Sequence, residues 1–180
     1  VGDSPTLAEW GVGTGAAAIA AGAWIERLDS ALARLAEHLD REHPGLTAPV
    51  PGESEQWDAG QVWAHLAEFG DYWLVQLRAV LAAASDEPVP FGRTRHDDAR
   101  IAAIADGRHL DPAAHHATVL AAAARLRALL GAMTNADWSR TGKHETLGVM
   151  DLDAQLTHFH VGHYEEHADQ LDSIVAETSP

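Results

Sequence analysis

Four histidines fall within ten residues of the stretch HFHVGHYEEHADQL, residues 158–171, a third of the twelve in the chain. Neutral imidazole is a common ligand for divalent transition metals. On a helical wheel at ~100° per residue, His160, His163, His167 and Gln170 share an arc of about 80°. His158 points to the far side with Glu165 and Asp169, so the neighbouring carboxylates mostly face away from the stripe. A stripe turned inward would then be buried neutral, the form that ligates. One helix cannot close a site. His160 and His167 are separated by ~10.5 Å along the axis, too far to share an ion through bonds of about 2 Å. The pair His163/His167 at i,i+4, the spacing of the histidines in HExxH, can share one, and so can His160/His163 at i,i+3. Either pair needs a ligand from elsewhere. The candidate is His65, in WDAGQVWAHLAEFGDYW (57–73), on or beside an apolar face made by Val62, Leu66, Phe69 and Trp73. A core histidine bonded to a carbonyl or water is the bland alternative. The paired histidines of the last segment favour a ligand instead.

Bringing position 65 beside positions 163 and 167 requires long elements packed side by side. Ile25, Leu28, Leu32, Leu35 and Leu39 recur at helical spacing and predict a helix from about Ala16 to Glu42. HPGLTAPVPGESEQ (43–56), with three prolines and two glycines, breaks it into a loop. Asp58, with Gln61 as capping-box partner, starts a second helix to about Ala84, apolar at Val62, Leu66, Phe69, Trp73, Leu77 and Val80. Residues 85–96 form a loop, and a short helical piece follows around 97–106. Asp111-Pro112 opens a third long helix carrying Val119, Leu126, Leu130 and Met133. NADWSRTGKHETLGVM (135–150) reads as irregular, and Asp151 or Asp153 caps a last helix running to about Val175. No run of alternating β-branched residues occurs, so no sheet is expected. The expectation is an all-α bundle of four long helices with a long connection between the second and third. Residues 1–14 read as a Gly-rich lead-in and 15–177 as one domain.

Composition narrows the partners. Residues counted hydrophobic make up 46% of the chain, yet aromatics are only 6%, and the abundant alanine favours helix. Twenty-seven acids against twelve bases give a formal net charge of −15, a field that repels phosphate backbones and argues against nucleic acid. The absence of cysteine excludes disulfides and thiolate ligands and is compatible with a cytoplasmic location. The apolar run GAAAIAAGAWI (15–25) is too short to span a bilayer and lacks the positive flank of a signal peptide, so no membrane role is expected. The chain opens with Val1 rather than Met, which leaves room for upstream residues.

Two segments carry a family resemblance. APVPGESEQWDAGQVWAHLAEF (48–69) resembles the proline-rich entry to the second helix of the DinB-like/mycothiol-dependent maleylpyruvate isomerase superfamily. GKHETLGVMDLDAQLTHFHVGHYEEHADQL (142–171) resembles that superfamily's closing segment, in which a loop leads into a helix bearing HxxxHxxQ[IL]. The resemblance implies a DinB-like four-helix bundle with a metal triad at His65, His163 and His167, followed by Gln170. It also implies a divalent ion, zinc first, with nickel, iron or manganese as alternatives, and a homodimer as one expected assembly. The maleylpyruvate isomerase branch is described with Glu where this chain has His163, a departure that touches that specific activity and leaves the metal site intact.

Three nitrogens leave a coordination position open, the pattern of a catalytic zinc site. Two mechanisms follow. In the first, which the resemblance favours, the metal binds the sulfur of a low-molecular-weight thiol such as mycothiol and presents it to a small-molecule electrophile, making the protein an S-transferase or isomerase. In the second, metal-bound hydroxide attacks an ester or amide. A non-catalytic metal-binding stress-response module is the third reading, although a structural ion normally wants a closed set of four ligands. Glu68, His160 and His144 are the candidates for proton transfer or ligand support; the bland alternatives are a solvated Glu68 and a His144 that decorates a loop. Tyr72, Trp73 and Tyr164 read as bundle packing. His115 and His116 face different sides of a helix, and His38, His43, His96 and His109 read as scattered surface residues.

Overall fold

The structure is a computed structural model that describes residues 11–49, 56–84 and 87–176. Residues 1–10 of the expected lead-in, the middle of the proline-rich loop and position 177 lie outside the described residues. Four long segments make the bundle: α1 (Gly11–Ala36), α2 (Ala59–Ala82), α4 (Pro112–Ala132) and the pair α6 (Leu152–Phe159) and α7 (Val161–Ala176). Helix α1 packs on α4 and α7, and α2 packs on the same two, so the four close into a ring around one core. Leu28 and Leu35 of α1, Leu66 and Phe69 of α2, Val119 and Leu130 of α4, and Val161 and Leu171 of α7 are fully buried there. Two short helices, α3 (Asp98–Gly107) and α5 (Asn135–Trp138), lie in the connections. Among the described residues no helix is long and apolar enough to cross a membrane.

The helix starts follow local chemistry. Asp58 accepts from the Gln61 amide at 2.9 Å while the Gln61 side chain accepts from the Asp58 amide at 3.2 Å, a complete capping box. Asp111 caps α4 with Pro112 in the first turn, and Asp151 caps α6 by accepting from Ala154. The expected short helix after residue 96 is α3, capped by Asp97. Helix α1 ends at Ala36, earlier than the periodicity suggests, and the chain continues in turns to Asp40.

Three expectations are corrected. A small sheet exists: β1 (Val89–Phe91) pairs in parallel with β2 (Gly142–His144), which pairs antiparallel with β3 (Gly148–Met150). Each strand is three residues long, too short for a period-2 pattern, and one contains Pro90 at the sheet edge. Gly92 then turns the chain at φ +91, and a Cβ there would strike the His144 ring. The second correction concerns the last helix, which is broken at His160 (φ −134, ψ −101) into α6 and α7. Gly162 makes the break possible, because a Cβ at that position would overlap the Thr157 carbonyl. Gly162→Ala is therefore expected to cost on the order of 1–3 kcal/mol and to lower metal affinity with it, read out by denaturant unfolding and metal titration. Third, His38 is not a surface residue. It is 2% exposed, with one ring nitrogen 3.0 Å from His43 and the other 3.2 Å from Asp172 of α7.

Candidate metal centre

His65 leaves the inner face of α2, and His163 and His167 leave α7 one turn apart, opposite it. Their Nε2 atoms meet: His65 to His163 at 3.0 Å and His163 to His167 at 3.1 Å. A ligand atom from each lies within 4.8 Å of the others. Each Nδ1 faces an oxygen three residues on: Glu68 Oε1 at 2.8 Å, Glu166 Oε2 at 3.2 Å and Gln170 Oε1 at 2.8 Å. Carboxylate and amide oxygens accept, so all three Nδ1 atoms carry the proton and donate it. The three Nε2 atoms therefore present lone pairs to one another with no hydrogen between them. A cation satisfies that arrangement. Two nitrogens bound ~2.1 Å from one tetrahedral ion lie about 3.4 Å apart, close to the spacing seen. The donor set fits a divalent metal.

Electrostatics agree with neutral ligands. Burial, then the neighbouring His167 and His163, hold His65 well below the ordinary histidine range. His167 is pushed down to about 3, chiefly by burial. Protons therefore compete little for the His65 and His167 nitrogens at neutral pH. The rings are also fixed sideways. Trp57 stacks parallel to His167 at 6.1 Å and meets His65 edge-on at 5.2 Å, while Phe69 meets His163 edge-on at 4.8 Å. Trp57 is placed by Thr47, whose hydroxyl accepts from the Trp57 amide at 2.9 Å and whose amide donates to the Trp57 carbonyl at 2.7 Å.

The other expected site residues surround this centre. Glu68 hydrogen-bonds His65 through one oxygen and pairs with Arg93 through the other, and burial raises its pKa. The Arg93 guanidinium lies over the Tyr72 ring at 3.9 Å. His144 sits on β2 and stacks on Phe159; its Nε2–H donates to the Arg93 carbonyl at 3.2 Å, and its Nδ1 accepts from the Thr146 amide at 3.3 Å. His160 occupies the break between α6 and α7, buried, with its pKa lowered to about 3 by burial and by His163. Tyr164 is buried against Phe69, as expected of packing, whereas Trp73 lines a cavity.

Sequence reasoning missed Glu166, Trp57 and Arg93. A signal for Glu166 exists, since each ligand histidine is followed at i+3 by Glu or Gln: His65/Glu68, His163/Glu166 and His167/Gln170. The carboxylates of α7 therefore do not all turn away from the histidines. Glu68→Ala is expected to weaken metal binding by roughly 10–100-fold while leaving saturating stoichiometry intact, as measured by competition with a chelator of known affinity.

The triad opens on one flank. His163 is half-buried, and together with His65 it lines a cavity of about 690 Å³ whose wall includes Trp73, Phe159, His144 and Arg93. These features define an all-α four-helix bundle with a three-histidine, metal-type centre open to a cavity. The solved structure of YfiT from Bacillus subtilis, described as "a probable metal-dependent hydrolase with an unusual four-helix bundle topology", is similar, with a TM-score of 0.65. The match covers 98% of this chain and 91% of that one at 20% identity, and it establishes the shared bundle topology. No protein-family model matches the sequence, and no curated protein does either.

Proposed function

We propose that this chain is a divalent-metal-dependent enzyme of the DinB-like superfamily, acting on a small molecule as a low-molecular-weight-thiol-dependent S-transferase or isomerase. One observation carries the metal-dependent part: three Nε2 lone pairs, proton-free because each Nδ1 donates elsewhere, converge beside a cavity. The thiol-dependent part rests on the resemblance of residues 48–69 and 142–171. A divalent cation held there supplies Lewis acidity, lowering the pKa of a bound thiol or water and polarising a substrate oxygen. The chain's own residues orient and exclude. Glu68, Glu166 and Gln170 fix the tautomer of the three ligands, and Arg93 fixes Glu68. His144, with both ring nitrogens engaged, ties the turn after β2 to the loop after β1. In this reading Glu68 and His144 are positioning residues. His160 contributes a neutral imidazole beside His163. Trp73 and Phe159 give the cavity an apolar wall that displaces water.

Hydrolysis is the second reading, favoured by the description of YfiT. The two separate on one assay. Zinc- or nickel-loaded protein is incubated with monochlorobimane, with and without mycothiol or bacillithiol, and in parallel with p-nitrophenyl acetate. Thiol-dependent bimane transfer above the uncatalysed rate, absent in His163→Ala, supports the transferase. Turnover of the ester without thiol supports hydrolysis. No turnover across a wide panel favours a non-catalytic module.

A further inference from the structure

We infer that His158 is the proton acceptor of the site, taking up the proton that a thiol or water loses on meeting the open flank of the triad and passing it to solvent. The inference rests on reading that triad as the metal centre. Its ground is where the break in the last helix puts the ring. Five residues of unbroken helix would turn His158 about 140° away from His163. The chain instead leaves helical geometry at His160, and the last turn of α6 and the first turn of α7 both contribute to the lining of the 690 Å³ cavity, His158 and His163 among it. Gly162, which permits the break, thereby serves the site as well as the fold.

The other acid–base groups around the triad are committed. Glu68 holds His65 and Arg93, Glu166 holds His163, and both ring nitrogens of His144 are hydrogen-bonded. The His158 ring is exposed and, among the described residues, makes no hydrogen bond or ion pair; its aromatic neighbour is Phe159 at 6.2 Å. A ring that lines the cavity and is open to bulk water can take a proton and release it, which the buried His160 cannot. His158 also stands within electrostatic reach of the Glu166 carboxyl, which is held below its ordinary range first by the hydrogen bond from His163 and in smaller part by the charge of His158. That carboxylate favours a protonated ring. His96 lines the cavity too, but it directly follows Arg95, whose charge disfavours another. Arg93 and Arg100 complete the charged lining. In the step assigned to His158 the S–H or O–H bond breaks, its electron pair stays on sulfur or oxygen, and the proton forms an N–H bond on the ring. The imidazolium then gives that proton to buffer. In transfer to monochlorobimane the chloride leaves with its bonding pair, so one proton and one chloride are released per turnover.

The test compares zinc-loaded parent, His158→Gln and His96→Gln in the bimane assay with mycothiol and in the ester assay without thiol. His158→Gln is expected to lower kcat roughly tenfold or more with KM unchanged, and its rate is expected to rise with the concentration of a bulky buffer such as HEPES while the parent's does not. His96→Gln is expected to match the parent. A readout free of turnover uses cobalt-loaded protein mixed with mercaptoethanol. The near-ultraviolet band of thiolate ligation is expected to grow in roughly tenfold more slowly in His158→Gln and to reach the same height. Metal content and circular dichroism of both variants are expected to equal the parent's. A His158→Gln variant that keeps the parent's rates, or whose loss buffer does not relieve, overturns the inference, and so does a loss carried by His96→Gln instead. One ion per chain with neither turnover nor a thiolate band overturns it too and leaves the metal centre standing. No ion per chain rejects both.

Discussion

His163→Ala is expected to take metal content from near one ion per chain to near zero and to abolish the metal's effect on thermal stability. His163 is the middle of the three ligands, since both short Nε2 contacts, 3.0 and 3.1 Å, run to it. Removing it leaves His65 and His167 on opposite helices, without the nitrogen that joins them. It is also the best ligand to truncate, because its side chain is 20% exposed while His65 and His167 are buried, so the variant loses less packing. For the parent, a ligand present at a thousandfold over its dissociation constant stabilises the fold by about 4 kcal/mol. The variant is expected to show none of that increment, with its helical circular dichroism unchanged. Elemental analysis and paired melts with and without zinc make the check. An alanine variant that keeps one ion per chain places the ligands elsewhere.

The second large effect concerns acid. His160 and His167 titrate near pH 3 in the fold, each held there chiefly by burial, against about 6.5 for an unperturbed histidine. Below about pH 6.5 the unfolded chain takes up protons that the folded chain refuses, so stability is fully present above that pH and falls as pH drops towards 3. Each ring contributes about 1.4 kcal/mol per pH unit inside the window. Between pH 7 and pH 5 the metal-free protein is thus expected to lose roughly 4 kcal/mol from the two together. Asp172 is shifted in the same direction, lowered first by its hydrogen bond to Arg34, but its contribution is lost only below about pH 4. The two effects therefore occupy different parts of the curve. Urea midpoints at pH 7, 6 and 5 measure the first, and a flat profile over that range contradicts it.

What the sequence revealed and what it concealed divide along the range of the interactions. The caps at Asp58 and Asp111 were legible because their partners lie within three residues. Core positions were legible from their helical spacing, and the resemblance named the ligands. The break at His160 was not, because apolar and histidine positions keep a plausible helical spacing on either side, and the one local sign is Gly162. His38, in the turns after α1, looks peripheral from its own segment and is buried where Asp172 of α7 meets it. Arg93 looked like a loop residue because its place depends on Val89 pairing with Gly142, a contact between distant segments. The acceptors behind the ligands were within reach as a repeated i,i+3 pattern, and only Glu68 and Gln170 drew notice.

The placement of the three ligands also governs when the centre can come into being. The linked histidines 65 and 163 are 98 positions apart. Translation at about 5–20 residues per second leaves His65 waiting roughly 5–20 seconds for its partners to emerge. Until α7 docks, α2 exposes a half-made chelate, so capture of the ion waits on the synthesis and docking of α7. Once captured, the ion acts as a clasp across a long chain segment, and its removal is expected to loosen α7 before any other helix.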